Sequence, residues 1–232
     1  MQTDSNAYTL GFATIAVVLV ALVLSGMATG LKPIQDREAE KDSKFNILRS
    51  VMPDLKKENA MELFDKHITP IVVNGEGKTF DGLEPLKLQL RKEYKKGKSE
   101  QRLPLYVADI EGKKSYVVPM FGNGLWDYIG GYLALKPDFN TIAGVIFTHV
   151  AETPGLGAEI SKDWFQDNFK NEKLLNEQGE FVGIVVKKGK QETDALHMVD
   201  GVSGATITGD GVQIMIDKNL RCYFSYFKTA KD

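Results

Sequence analysis

An apolar stretch near the N-terminus, residues 7–29, carries no charged side chain and places the first constraint on this chain. Its centre, residues 15–24, contains only isoleucine, valine, leucine and alanine. About 20 apolar residues span a bilayer as a helix, which pairs its backbone polar groups internally. The stretch therefore predicts one transmembrane helix. A cleaved signal peptide is the alternative: Ser25, Gly26 and Ala28 suit cleavage, but residues 1–6 lack the basic side chains of such a peptide.

The rest of the chain is long enough for one sizeable domain, so we divide the 232 residues into four segments. These are a short N-terminal tail (1–6), the transmembrane helix (7–29), a charged helical stalk (30–56) whose helix ends at Pro53, and a single domain (57–232).

Composition excludes several classes of function. The formal net charge of -2 leaves no basic excess for nucleic acid. Cys222 is the single cysteine, which rules out an intrachain disulfide and a CxxC site. His67, His149 and His197 are scattered without a paired spacing, so we predict no metal site.

The residues after the stalk alternate between hairpin patterns and helical patterns, which is typical of an α+β fold. We expect a mostly antiparallel sheet flanked by helices that pack on one side of it. The predicted elements are helices over 34–51, 57–67, 83–94, 159–169 and 209–227, a hairpin over 72–80, and strands over 105–110, 115–121, 131–136, 142–150 and 181–187.

Two of these helices are amphipathic, with apolar residues at helical spacing. The first would bury one face made of Ile160, Trp164, Phe165 and Phe169. The C-terminal helix would bury Val212, Ile216, Leu220, Tyr223, Phe224 and Phe227.

A turn of small residues, Asp-Gly-Val-Ser-Gly-Ala-Thr at 200–206, separates a short predicted strand from the C-terminal helix. Its glycines allow close approach of a ligand, and a helix start favours phosphate. Most such turns only reverse the chain, however. The spacing matches neither a P-loop nor a dinucleotide-binding fingerprint. From the residues alone, a phosphate ligand and a plain turn both remain open.

The turn resembles the flavinylation motif of the FMN-binding domain family, in which the last threonine carries FMN through a phosphoester. Two further stretches, Gly-Leu-Trp at 124–126 and His-Val-Ala-Glu-Thr-Pro-Gly-Leu-Gly at 149–157, look like that family's other flavin-contacting segments. The three together are similar to the C subunits of sodium-translocating NADH:quinone oxidoreductases. The G subunits of Rnf complexes share the second stretch and the threonine motif and usually lack Gly-Leu-Trp.

The resemblance implies an FMN-binding domain with covalent FMN on Thr206. It assigns Asp200 to recognition by a flavin transferase, with shaping of the turn as the alternative. From the residues alone, Trp126 is also explained as a core anchor. Lys187 and Lys188 end a predicted strand, where they could reach a phosphate or be a solvated strand end. The FMN-binding residues it implies are Ser203, Gly204, Ala205, Thr208, Leu125, Trp126, Glu152, Thr153, Gly155, Leu156 and Lys187.

The same resemblance implies an electron carrier, because no acid–base pair or nucleophile is evident in the chain. Electrons would pass to the next flavin, on the B subunit, and then toward quinone. Sodium transport would belong to membrane subunits such as D and E, and a flavin transferase would attach the FMN. The alternatives are the G subunit of an Rnf-type ferredoxin:NAD oxidoreductase and a membrane-anchored binding or assembly module without redox chemistry.

The charge pattern and the resemblance predict opposite sides of the membrane for the domain. Lys32, Arg37, Lys41 and Lys44 follow the apolar helix and no basic residue precedes it, so the positive-inside rule places the domain in the cytoplasm. The resemblance implies the periplasmic side of a bacterial inner membrane. We follow the resemblance, because a complex can fix the topology of one of its subunits, and lipid is then a further partner.

Overall fold

The computed structural model describes residues 5–189 and 196–231, so the first four residues of the predicted N-terminal tail lie outside the described residues. Helix α1 runs over Asn6–Arg49 without interruption and includes Pro33. It covers the predicted transmembrane segment and most of the predicted stalk. By contacts the chain forms two compact units, Met1–Asp42 and Ser43–Asp232.

The first unit is the apolar part of α1. An 18-residue window of this helix has a mean hydropathy of 2.5, and none of that window is buried within the protein. Among the described residues it is the one helix long and apolar enough to cross a membrane. Exposure of this many aliphatic side chains is unfavourable in water, which is why we propose a membrane role for α1 below.

The second unit is built on one six-stranded sheet. Its strands are β1 (Ile68–Val73), β2 (Thr79–Phe80), β3 (Leu103–Ile110), β4 (Lys113–Asn123), β5 (Tyr128–Leu135) and β6 (Ile142–His149). The order in the sheet is β2-β1-β3-β4-β5-β6, and every neighbouring pair is antiparallel. The predicted α+β class with a mostly antiparallel sheet is confirmed.

Both faces of the sheet are buried. Alternate strand residues point to opposite faces, so Leu105 and Val118 join one apolar cluster while Tyr106 and Val117 join another. The first cluster contains the C-terminal helix α5 (Thr206–Lys231); the second contains α2 (Ala60–His67) and the buried end of α1. The expectation of helices on one side only is therefore wrong.

A second, small sheet leads into α5. Strand β7 (Val185–Lys187) pairs in parallel with β8 (Met198–Asp200), and Lys187 is the partner of Asp200. The strand predicted over 181–187 is shortened because Gly183 has a φ of 71°, which breaks extended backbone. Helix α5 begins at Thr206, three positions before the predicted start, and so the end of the small-residue turn is helical.

Two predicted helices are fragmented. Residues 83–94 form a 3₁₀ turn (Pro85–Lys87) and α3 (Leu90–Glu93). Residues 157–169 form a 3₁₀ turn (Gly157–Ser161), α4 (Asp163–Gln166) and a further 3₁₀ turn (Asp167–Phe169). Lys162 between them is extended, with a ψ of 146°, so the helical phase is lost there. Trp164 is consequently 51% exposed, and its assignment to the buried face was wrong; Ile160, Phe165 and Phe169 are buried as predicted.

Helix α5 gives a direct test of this packing, because Ile216 is fully buried and Ile214, on the same helix, is 49% exposed. We expect Ile216→Ala to lower the free energy of unfolding by about 2–5 kcal/mol, since it removes buried methyl groups and leaves a cavity. Ile214→Ala should change it by less than about 0.5 kcal/mol. Chemical denaturation of the full-length chain in detergent measures both, and equal costs would contradict this arrangement of α5.

Candidate functional site

The buried carboxylate of Glu152 joins three segments that are far apart in the sequence. Its side chain is 4% exposed. One oxygen, Oε1, accepts a hydrogen bond of 3.0 Å from the backbone N–H of Trp126, in the β4–β5 loop. The other, Oε2, accepts a bond of 2.6 Å from the hydroxyl of Thr208, in the first turn of α5. The loop after β6 is thereby fixed to both neighbours.

Two glycines make room for this carboxylate. A Cβ atom at Gly124 would collide with Glu152 Oε1, and one at Gly157 would collide with Oε2 and lie only 2.6 Å from Thr208 Oγ1. Any side chain at these positions would displace the carboxylate. Glu152 and Thr208 were predicted as FMN-binding residues; in the structure their polar atoms contact other parts of the protein, so they hold the loops in place.

Burial of Glu152 raises the pKa of its carboxyl group, but the hydrogen bonds it accepts have the larger combined effect. The donors are the Thr208 hydroxyl and the backbone N–H groups of Trp126, Asp127 and Leu125. Together they hold the pKa of Glu152 below its ordinary value. The carboxylate is therefore ionised at neutral pH and acts as a hydrogen-bond acceptor.

The small-residue turn and the helix start that follows it present three hydroxyl groups, which differ in their contacts. Thr208 is 1% exposed and donates to Glu152. Ser203 is exposed and its Oγ accepts a bond of 2.8 Å from Lys188 Nζ. Thr206, the first residue of α5, is exposed, and among residues 5–189 and 196–231 its hydroxyl has no hydrogen-bond partner. Of the three, Thr206 is the hydroxyl best placed to react.

Apolar side chains on the joined segments point outward. Leu125 is 47% exposed, Trp126 is 68% exposed and Leu156 is 42% exposed. Leu156 also contacts the small-residue turn, because its Cδ2 atom would lie 3.0 Å from a Cβ at Gly204. Trp126 is too exposed to be a core anchor, so that alternative is wrong. The segments joined by Glu152 therefore carry exposed apolar side chains, and that of Leu156 lies beside the turn.

Thr153 and Gly155 shape the loop that carries Leu156. The carbonyl of Thr153 accepts hydrogen bonds from the backbone N–H groups of Leu156 and Ala158. Gly155 has a φ of 75°, a conformation that favours glycine. Both residues are exposed, and the contacts seen here are those of the loop with itself.

A cavity of about 430 Å³ lies beside Thr206. Its charged lining consists of Lys187, Lys188 and Asp210. The sequence places both lysines where they could reach a phosphate, and Lys187 was chosen, because nothing in the sequence distinguishes neighbouring lysines at a strand end. The full lining is Val185, Val186, Lys187, Lys188, Gly201, Val202, Ala205, Thr206, Gly209, Asp210 and Gln213.

Asp200 contributes to the shape of the turn. Its Oδ1 atom accepts a hydrogen bond of 2.7 Å from the backbone N–H of Gly189, just beyond β7. The backbone N–H of Gly201 donates to the carbonyl of Lys187 at 3.2 Å. These contacts favour the turn-shaping role for Asp200.

Within the described part of the chain, no group of three or more His, Cys, Asp or Glu residues could hold a metal ion.

Known proteins resemble this chain over nearly its whole length. A family model described as the FMN-binding domain matches residues 124–221. The chain is 33% identical to the C subunit of the Na(+)-translocating NADH-quinone reductase of Haemophilus ducreyi, over 95% of this chain and 90% of that protein. It is 30% identical to the C subunit of the same reductase in Pseudomonas aeruginosa, over 92% of this chain and 90% of that protein.

Solved structures agree with these relatives. The crystal structure of the C subunit of the same reductase from Parabacteroides distasonis has a TM-score of 0.77 and 34% identity, covering 85% of this chain and 96% of that one. The crystal structure of NqrC from Shewanella oneidensis has a TM-score of 0.73 and 28% identity, covering 84% of this chain and 99% of that one.

The role of Glu152 predicts a particular pH dependence of stability. At neutral pH, Glu152→Gln should lower the free energy of unfolding by about 1–3 kcal/mol. Trp126 and Thr208 donate to different oxygens of the carboxylate, and the NH2 group that replaces one oxygen in glutamine cannot accept a hydrogen bond. The pKa of Glu152 in the folded state lies below the ordinary value of 4.5. The contribution of the carboxylate to the free energy of unfolding is therefore complete above pH 4.5 and is lost as the pH falls through the folded-state pKa.

Denaturation of the full-length chain at a series of pH values between 7 and about 3 measures this effect. The stability gap between the wild type and Glu152→Gln should shrink at the acid end. Glu159→Gln is the matched control, because Glu159 lies in the adjacent turn and is half-buried. A gap for Glu152→Gln that stays constant with pH would contradict the role assigned to the carboxylate.

Proposed function

This chain belongs to the family of C subunits of the Na+-translocating NADH-quinone reductase, and on that premise we propose that it is a membrane-anchored electron-transfer subunit that carries FMN on Thr206. The attachment is a phosphoester to the threonine hydroxyl. The observation that carries the proposal is the contrast among the three hydroxyls of Ser203, Thr206 and Thr208. Thr206 alone of them is both exposed and without a hydrogen-bond partner in the described part of the chain.

The residues around Thr206 fit a flavin. The outward apolar side chains of Leu125, Trp126 and Leu156 offer a surface for the planar ring system, and the exposed Thr153 and Gly155 border it. Gly204 and Ala205 keep the turn small, and Gly204 allows Leu156 to approach it. The cavity beside Thr206 carries Lys187 and Lys188, which suit the phosphate.

When bound, FMN supplies the redox chemistry, and the protein supplies its orientation and its electrostatic surroundings. The carboxylate of Glu152 does not face a substrate, because its oxygens are bonded to Trp126 and Thr208. These contacts fix the loops beside the flavin before it binds, so the protein has little to reorganise. Such a site suits an electron carrier that passes electrons to the next flavin, on the B subunit, toward quinone.

Covalent attachment prevents loss of the cofactor by dissociation. We assign the attachment to a separate flavin transferase, for which the exposed turn at 200–206 is the acceptor. Asp200 then shapes the acceptor by its bond to Gly189, whether or not the transferase also contacts it. The partners are the other subunits of the complex, including B, D and E. The relatives named above favour this complex over an Rnf complex.

Helix α1 anchors the chain in the bacterial inner membrane, through the predicted transmembrane segment 7–29. The residues that follow, up to about position 56, form the stalk, whose last part, from Ser43, packs within the second unit; the rest of the domain begins at about 57. We propose the periplasmic side for the domain. Among the basic residues after the apolar segment, Lys32 pairs with Asp36 at 3.4 Å and Lys41 pairs with Glu38 at 2.5 Å. Acidic residues count little in the positive-inside rule, so these ion pairs do not change its prediction. The periplasmic topology therefore has to be fixed by the complex.

Attachment at Thr206 is tested by co-expression of the full-length chain with a flavin transferase. The wild type should give a fluorescent band after denaturation and a mass increase of one FMN, mapped to Thr206. Thr206→Val should remove both, because valine lacks the hydroxyl and is nearly isosteric. Ser203→Ala is the matched control and should keep them. A wild-type chain without covalent flavin would support a non-redox binding or assembly module, and flavin retained in Thr206→Val would place the ester elsewhere.

Orientation is tested by two fusions at the C-terminus. Alkaline phosphatase folds to an active form only outside the cytoplasm, so its fusion should be active. A green fluorescent protein exported unfolded stays dark, so its fusion should not fluoresce. The opposite pair of results would place the domain in the cytoplasm, as the positive-inside rule does.

A further inference from the structure

Lys188 is held against the turn that contains Thr206. Its Nζ atom donates to Ser203 Oγ at 2.8 Å, three residues before Thr206. The backbone on either side of Lys188 is fixed as well, by the bond between Gly201 N–H and Lys187 O and by the bond from Gly189 N–H to Asp200. A long exposed lysine normally samples many rotamers, and this one already has a defined position.

The turn and the strand end pack closely at position 201. A Cβ at Gly201 would lie 3.3 Å from Lys188 N and 3.4 Å from Lys187 C. Lys188 and Thr206 line the same cavity. The ammonium group is bonded to the same turn, at Ser203, three residues before Thr206.

A cation beside such an ester would offset the acidic residue that lines the cavity. Asp210, on the first turns of α5, is a lining residue and would repel the negative phosphodiester. Lys187 and Lys188 are the basic lining residues. Lys187 is the last residue of β7, and Lys188 lies in the bend that follows it. Of these two, Lys188 is the one whose side chain is bonded to the turn.

We propose that Lys188 binds the phosphodiester that joins the cofactor to Thr206, and that the hydroxyl of Ser203 holds the lysine in place. This inference rests on the proposed function, because it needs the ester on Thr206. It moves the phosphate contact from Lys187, which the sequence analysis selected, to its neighbour. A charge-assisted hydrogen bond of this kind fixes the phosphate and thereby the start of the ribityl chain.

The test is the phosphorus-31 NMR spectrum of the full-length, flavinylated chain in detergent. Each covalent FMN contributes one phosphodiester to the chain and therefore one resonance. Lys188→Gln should shift this resonance by more than its line width, because it removes the charged donor. Lys187→Gln is the matched control: it removes the same charge from the adjacent position and should shift the resonance less than Lys188→Gln does. Ser203→Ala should give a smaller shift, since it loosens the lysine without removing it.

Each outcome is decisive. An unchanged resonance in Lys188→Gln, or an equal shift in Lys187→Gln, would overturn the proposal and reduce both lysines to surface charge. If Lys188→Gln accepts no flavin, Lys188→Arg is measured instead, and a displaced resonance supports the contact while an unchanged one refutes it. A wild-type chain with no covalent flavin would refute the proposed function itself, and the intact mass shows this before any variant is compared.

Discussion

The site depends on one buried carboxylate. Glu152 brings together a hairpin loop, the loop after β6 and the start of the C-terminal helix through hydrogen bonds from Trp126 and Thr208. Hydrogen bonds to a charged group contribute about 1.5–3 kcal/mol each, whereas a buried carboxylate without them is strongly unfavourable. The three segments therefore stabilise one another through this carboxylate, and Gly124 and Gly157 are the positions that leave room for it.

The polar and apolar groups of the site have separate roles. The polar groups of Glu152 and Thr208 face inward and fix the backbone, while the apolar Trp126 and Leu156 and the hydroxyl of Thr206 face outward. Thr206 is also the first residue of a 26-residue helix that packs into the core against the sheet. A cofactor attached there is held by a rigid element, which suits electron transfer because the distance between redox centres stays constant.

Much of the fold follows from the sequence, because strand alternation and turn residues are local signals. The positions of the hairpins along the chain and the α+β class were predicted from them. So was the apolar face of the C-terminal helix, except for Phe224, which is only partly buried. The failures arise where one backbone conformation or contacts between distant segments decide the outcome. One extended residue, Lys162, breaks the helical phase and exposes Trp164. The helices lie on both faces of the sheet because α2 and the end of α1 cover the second face, which no local pattern reveals.

The sequence by itself determined the apolar anchor segment, the small-residue turn and the candidate hydroxyls, since chemistry and spacing are written in the chain. Tertiary structure alone decided how the three hydroxyls differ. The hydroxyl of Thr208 donates to Glu152, that of Ser203 accepts from Lys188, and Thr206 is left exposed. It also decided that Trp126 is outside the core and that the side chain of Lys188 is bonded to the turn. The physical reason is that solvent exposure and hydrogen-bond partners arise only when segments as distant as residues 126, 152 and 208 meet.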